Sequence, residues 1–284
     1  MNKKIPNNEI ETWRTNVANY FDNYETYTKT VVFYFTIGMG GIGDFFKFFM
    51  YLFRHCIKNE IKMKYSINDN ALNKYITLIS KEMYIDVDTI KNYKKIDLFK
   101  ELENMESDIF YIVTPFCMYD IADMYEKISP CISLLFSFSE KVLQNAQNYL
   151  DKLGNYVAIH VRLGDAFLET DKQYVVCQSD SRQFDENQMF QLIEDTNNET
   201  NIFFCCDNES YKKQIKAKYD NVITTDFDIG HTSLSNTTKQ QYLDSVTEFY
   251  LLTQSEKIFA GTRSGFSIMA SKFAGVPIIH LSLS

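Results

Sequence analysis

A chain of 284 residues, 45% of them hydrophobic, is long enough for one large core or two modest ones and reads as a globular protein. Its formal charge of -8 argues against a nucleic-acid groove, which gains affinity by neutralising phosphates with Lys and Arg, so any phosphate the chain binds has to be held locally. The six cysteines (Cys56, Cys117, Cys131, Cys177, Cys205 and Cys206) show no C-x-x-C or Cys/His metal spacing, and reduced structural thiols with no resident metal are expected.

Met1 to Glu11 is polar, with no signal-peptide core. The most apolar stretch, Phe45 to Phe53, is interrupted by Lys47 and is too short to span a bilayer. A soluble, cytoplasmic setting is therefore expected, and the sequons at Asn198, Asn208 and Asn236 read as chance matches. A short helix around Trp13 to Phe21 precedes a β-prone run, Val31 to Ile37, then glycines and a helix over Phe45 to Ile57. Strands are expected at Ile61 to Ile67, Asp108 to Thr114 and Ile132 to Phe138, and helices at Ala71 to Ser80 and Tyr119 to Lys127. Ser139 to Leu153 reads as a helix with Ser139 as N-cap and Gly154 as its stop, and it is the best place for a domain hinge.

A second series follows, with strands at 156–162, 201–206, 221–225, 256–260 and 277–281 and helices at 185–196, 209–219, 238–254 and 265–274. Apolar runs without alternation indicate strands covered on both faces. Two successive α/β units predict an α/β fold of two Rossmann-like domains facing a cleft, residues 1–150 and 151–284.

Several segments carry chemistry. Gly38-Met39-Gly40-Gly41-Ile42-Gly43 fits G-x-G-x-x-G between a strand and a helix, the context of a dinucleotide fingerprint. The NAD reading also needs an acidic residue closing the second strand, and neither Glu60 nor Asp69 is well placed; a tight turn that needs glycine for positive φ is the alternative. Asp44 begins the helix, where a carboxylate suits the helix dipole. His160-Val161-Arg162-Leu163-Gly164-Asp165 closes the run Tyr156 to Ile159 and puts His160 and Arg162 on one face of a strand end. Either a phosphate meets both, or Arg162 and Asp165 form a surface ion pair. Phe203 to Asn208 ends a strand with Asp207 at its C-terminal edge, where ligands of open α/β sheets bind. Tyr242 to Thr253 reads as an amphipathic helix with Asp244 and Glu248 one turn apart. Gly261-Thr262-Arg263-Ser264-Gly265-Phe266-Ser267 opens a helix after a strand and is either a second anion site or a capping turn.

The segment from His160 to Asp165, the Asp207-bearing strand, and the run from Glu248 through Glu256 to Ser267 resemble, in order and spacing, three C-terminal motifs of the α1,2-, α1,6- and protein O-fucosyltransferase superfamily. Gly40-Gly41-Ile42-Gly43-Asp44 is similar to that superfamily's N-terminal glycine loop. The resemblance covers most of residues 155–284 and roughly 31–50, and it leaves 51–130 unmatched.

It implies a GT-B fold and an inverting, metal-independent transfer, most simply of L-fucose from GDP-fucose to a glycan hydroxyl, with no cofactor beyond the nucleotide-sugar donor. It implies further that the C-terminal half holds the nucleotide and the N-terminal half the acceptor. Arg162 would bind the β-phosphate, and His160 the nucleoside. Ser264 with the backbone of Gly265 and Phe266 would hold the diphosphate, and Gly40, Gly41, Gly43 and Asp207 would complete the binding site. Glu248 stands where the family usually has an aspartate reading guanine, and Asp44 where protein O-fucosyltransferases have an amide close to the reacting sugar. The α1,6 enzymes carry a glutamate ten residues after the motif histidine; Thr170 stands here, flanked by Glu169 and Asp171. Candidate bases are therefore Asp44 and Asp165, then Glu169 and Asp171. The competing readings are a transferase for another UDP- or GDP-linked deoxyhexose or pentose, an NAD(P)-dependent oxidoreductase using Gly38 to Gly43, and a non-catalytic nucleotide-binding scaffold.

Overall fold

Apolar runs buried on both faces form the central strands of two parallel sheets, as their lack of alternation requires. The computed structural model describes residues 7–67, 70–167, 179–196, 200–227 and 229–281. In chain order the elements are α1 (Asn7–Asp22), β1 (Thr30–Tyr34), α2 (Ile42–Asn59), β2 (Lys62–Ser66), β3 (Ile76–Leu78), β4 (Tyr93–Lys95), β5 (Phe110–Val113), α3 (Met124–Lys127), β6 (Phe136–Phe138) and α4 (Glu140–Leu153). The second half continues with β7 (Tyr156–Val161), α5 (Glu186–Asp195), β8 (Asn201–Cys206), α6 (Glu209–Lys218), β9 (Val222–Ile223), α7 (Lys239–Gln254), β10 (Ile258–Ala260), α8 (Gly265–Ala274) and β11 (Ile278–His280).

The first sheet has the order β2-β1-β5-β4 and the second the order β11-β10-β7-β8-β9, all pairs parallel. Numbered from β7, the second sheet runs 3-2-1-4-5, the Rossmann order, and its strand order reverses between β7 and β10. The first sheet reverses between β1 and β5. Both reversals leave a crevice beyond the carboxyl ends of the strands, and the glycine loop and the His160 loop emerge at these two places.

Four helices connect the sheets. α2 packs on α8, α8 on α7, and α7 on α4. Phe46 of α2 stacks on Phe249 of α7 with centroids 5.4 Å apart, and Phe249 meets Phe266 of α8 edge-on at 5.2 Å. One apolar cluster therefore runs through both halves, with Phe33, Phe45 and Phe136 on one side and Met269 and Phe273 on the other.

The second half follows the expected elements within a few residues. The first half keeps the expected strands and helices at 31–67, 108–114 and 139–153 and departs from them elsewhere. Ala71 to Ser80 is a 3-10 turn (Ala71–Lys74) followed by β3, which pairs antiparallel with β6. The buried Asn70 side chain caps that turn by accepting from Leu72 N–H at 3.0 Å, and the β-branched Ile76 and Thr77 then extend. Ile132 to Phe138 is a turn followed by the three residues of β6, after Cys131 has taken φ +63°. Tyr119 to Lys127 contributes only the single turn of α3, because Asp123 sits at φ +55° ahead of it. The N-terminal helix is longer than expected, and Ser139 occupies the N-cap position of α4 without a capping bond from its side chain. α7 is not amphipathic, since it is buried nearly all round between its neighbours. Five cysteines are free thiols, and Cys177 lies outside the described residues. Among the described residues no helix is long and apolar enough to cross a membrane.

Candidate functional site

Ala260 at the end of β10 pairs with His160 of β7, so the segments after these strands leave the sheet side by side at the reversal point. The Arg162–Asp165 loop is braced from three directions. Arg162 N–H donates to Thr262 Oγ1 at 2.9 Å, which links it to the β10 loop. Asp207, the first residue after β8, accepts from Leu163 N–H at 2.8 Å and Gly164 N–H at 3.2 Å. Gly164 takes φ +106°, and a Cβ there would meet the Asp180 carbonyl oxygen at 2.5 Å, so only glycine closes this loop. The Arg162 guanidinium lies between two buried carboxylates, hydrogen-bonded to Asp165 and 3.3 Å from Asp207. The surface ion pair expected as the alternative reading is therefore a buried one.

The glycine loop faces it. Gly38 and Gly40 have φ of +88° and +121°, and Gly38 N–H donates to the Ser233 carbonyl at 2.9 Å. α2 begins at Ile42, so Gly43 and Asp44 lie in its first turn; Asp44 accepts from Gly41 N–H at 3.2 Å and from Lys47 at 2.8 Å. A Cβ on Gly43 would lie 2.6 Å from the carbonyl carbon of Gly265, so this glycine is explained by the approach of two helix N-termini. At Gly43→Ala the obstruction is backbone and cannot rotate away, and overpacking of this kind costs about 1–3 kcal/mol. A thermal melt several degrees below wild type is the expected result; an unchanged melt would show that α2 and α8 separate freely.

Between the loops lies a cavity of about 410 Å³. Gly41, Gly43, Asp44, His160, Arg162, Asp207, Glu248, Ser264, Gly265 and Phe266 all line it. Gly40 and Asp165 line a second cavity of about 410 Å³, together with Asp44 and Arg162. Asp244 lines neither and accepts from Asn145 at 3.3 Å and Gln240 at 2.8 Å. Glu169, Thr170 and Asp171 lie outside the described residues.

Several lining residues are invisible to sequence reasoning. Arg182 reaches both cavities because its segment pairs with the His160 loop, its N–H donating to the Leu163 carbonyl at 2.8 Å. His231 and Thr232 come from an irregular stretch before α7, and Thr232 Oγ1 accepts from Ile42 N–H at 3.1 Å across the two halves. Arg263 lies within the quoted Gly261 to Ser267 motif, and its side chain has no counterpart among the roles expected there.

The electrostatics are set by burial and by arginines. Burial and then Arg162 and Arg182 push the His160 imidazole down to about 3, leaving it neutral. Its ring stacks on Phe266 at 5.4 Å, and its buried Nδ1 has no hydrogen-bond partner among the described residues. Burial and Arg162 likewise push His231 down to about 4, against the pull of Asp165 and Asp44. His231 Nδ1 accepts from Ser233 N–H at 3.3 Å, so the neutral ring carries its proton on Nε2. Burial raises the Asp207 carboxyl despite the opposing Arg162 and backbone N–H groups. Glu248 is held by Lys212 at 3.0 Å and by the Thr225 hydroxyl, both on Oε1, while Oε2 accepts from Cys205 at 3.1 Å. Among the described residues no group of three or more His, Cys, Asp or Glu side chains is arranged to hold a metal ion.

No protein-family model matches the sequence, and no curated protein matches it. The fold has solved counterparts. The NodZ α-1,6-fucosyltransferase of Bradyrhizobium, co-crystallised with GDP, superposes with a TM-score of 0.57 at 12% identity, over 89% of this chain and 95% of that one. A point variant of Arabidopsis thaliana FUT1 in complex with GDP gives 0.55 at 12% identity, over 98% and 77%. POFUT1 in complex with GDP gives 0.51 at 10%, over 90% and 99%. At these identities the likeness is one of fold, and the chain has the GT-B-like α/β architecture of these fucosyltransferase structures.

Proposed function

We propose that the chain is a glycosyltransferase that moves L-fucose from GDP-fucose to a glycan hydroxyl, with inversion and without a metal. The observation that carries this reading is the convergence, in one cavity, of Arg162, the unpartnered Nδ1 of His160 and the α8 N-terminus from one half with the α2 N-terminus from the other. The solved counterparts that share the fold bind GDP or were soaked with GDP-fucose. We divide the chain at residue 150, with the acceptor side before it and the donor side after it.

The acceptor oxygen attacks the anomeric carbon, the bond to the β-phosphate oxygen breaks, and its electron pair leaves with the nucleoside diphosphate. Charge grows on that leaving group, where Arg162 and the α8 N-terminus at Gly265 stabilise it more than in the ground state. The acceptor proton goes to Asp44, which lines both cavities and is about a third exposed at 36%. Asp165 and Asp207 hold Arg162 in place, a positioning role that fits their burial.

Charge-assisted hydrogen bonds contribute about 1.5–3 kcal/mol, so Arg162→Ala is expected to weaken GDP binding about ten- to a hundredfold. Thermal shift with GDP reads this directly, because a ligand of the native state raises its melting temperature. Transfer from GDP-fucose in the presence of EDTA, with NMR of the product anomer, tests metal independence and inversion. GDP affinity surviving Arg162→Ala, or a requirement for Mn²⁺, would sink this reading. Stabilisation by NAD alone would select the oxidoreductase.

One observation favours a second donor. Oε1 of Glu248 takes two internal bonds and Oε2 a single one, from Cys205, so Oε2 is the less committed oxygen. Guanine presents two parallel donors and wants both oxygens; uracil presents one N–H. Stabilisation by UDP in preference to GDP would select a uridine-linked sugar.

A further inference from the structure

The second cavity shares Asp44, Arg162, Arg182 and His231 with the first, so a ligand in it touches the same groups as a donor in its neighbour. Among the described residues its lining contains no aliphatic side chain. Its charges are matched internally: Arg162 with Asp165, Arg182 with Asp180 at 3.3 Å, and Asp44 with Lys47 at 2.8 Å. Ser179 and Ser233 add hydroxyls to the wall. Such a surface suits a neutral ligand rich in hydroxyls.

One wall is aromatic. Tyr119 is 51% exposed, which is unusual for a large ring, yet it is held in position. The buried Phe48 meets it edge-on at 5.1 Å, and Phe116 lies at 5.9 Å. A fixed, half-exposed ring beside hydroxyls and carboxylates matches the two sides of a pyranose, an apolar C–H face and a hydrogen-bonding rim.

We propose that this second cavity binds the acceptor as a neutral hexopyranoside, one face on Tyr119 and the reacting hydroxyl towards Asp44; the proposal rests on the glycosyl-transfer reading. The position follows from the shared lining, since the attacking oxygen must approach the anomeric carbon from the side opposite the leaving diphosphate. Tyr119 acts on the acceptor alone, because it lines the second cavity and not the first.

The test uses the full chain saturated with GDP and a panel of methyl hexopyranosides, including the galactoside and the N-acetylglucosaminide, read by saturation-transfer NMR. At least one glycoside is expected to bind with GDP in place. Tyr119→Ala should then raise the acceptor KM about tenfold, the magnitude of one aromatic contact, while the KM for GDP-fucose stays unchanged. Tyr119→Phe keeps the ring and should stay within about twofold of wild type. The proposal is overturned if no glycoside binds the GDP-loaded chain, if GDP displaces the glycoside, or if Tyr119→Ala binds it as well as wild type. If GDP itself fails to bind, the glycosyl-transfer reading fails first and this proposal falls with it.

Discussion

Lys212→Met is expected to destabilise the chain by about 3–5 kcal/mol, the cost of leaving one member of a buried ion pair without its partner. The two side chains are 1% and 3% exposed, at the junction of α6, β8 and α7, so water cannot replace the lost cation. The Thr225 hydroxyl and the Phe227 carbonyl, the latter at 3.3 Å, lose their contacts to Lys212 at the same time. For a chain of this size the melting temperature should fall by roughly 10 °C. Burial alone would push the Lys212 ammonium down, but Glu248 outweighs it and holds the group above its ordinary value. A cation raised in the folded state contributes stability that is complete below its unfolded pKa, about 10.4, and is lost as pH rises through the folded value. A melt at pH 7 therefore reads the whole effect. Lys212→Met combined with Glu248→Leu should recover most of the loss, because an apolar pair of similar volume no longer leaves a charge stranded. A single variant that melts with wild type would show that Glu248 finds another partner. The same single variant releases an oxygen of Glu248, so any gain in GDP affinity it brings would favour guanine as the base.

The second half of the fold was legible because β7 and β8 are six residues long and buried on both faces, and because helices alternate with strands along the chain. Asn208, Thr238 and Ser264 accept from the backbone of their own first turns. Within residues 71–138 the strand at Phe110–Val113 was legible and the rest was not, because the rest folds into 3-10 turns, one helical turn and three-residue strands that show neither helical nor strand periodicity. β4 is exposed at all its positions and carries no apolar signal. The site divides the same way. His160, Arg162, Ser264 and Gly265 sit at fixed distances from strand ends and helix starts, so local pattern places them. Arg182 and His231 reach the cavity only through tertiary contacts, the Asp180 segment against the Gly164 loop and Ser233 against Gly38. Gly43 was placed correctly and explained differently, since its missing side chain serves the contact of α2 with α8. Asp207 lines the cavity, and its two oxygens also hold the backbone of the His160 loop.

Between pH 7 and pH 5 the folded chain is expected to lose about 4 kcal/mol of stability through two histidines, each contributing about 1.4 kcal/mol per pH unit. The sign follows from the direction of the shifts. In the unfolded chain both rings take up a proton near pH 6.5, the ordinary histidine value. In the folded chain burial and the arginines hold His160 neutral down to about 3 and His231 down to about 4. Over this interval the unfolded state binds more protons, so stability is complete above about pH 6.5 and falls as the solution is acidified. Denaturant titrations at pH 7, 6 and 5 measure the slope. His160→Phe keeps a ring against Phe266 and removes one titrating group, so its slope should be clearly shallower than that of wild type. A flat profile in the wild-type chain would mean that both rings reach solvent or are charged already. The donor reading adds a sharper expectation. A diphosphate beside His160 and Arg162 would offset the arginine field and make protonation of the ring easier, so GDP should bind more tightly at pH 5.5 than at pH 7.5, and His160→Phe should remove most of that difference. An affinity for GDP that is independent of pH would place the diphosphate away from His160 and would move the phosphate site towards Arg182 and Arg263.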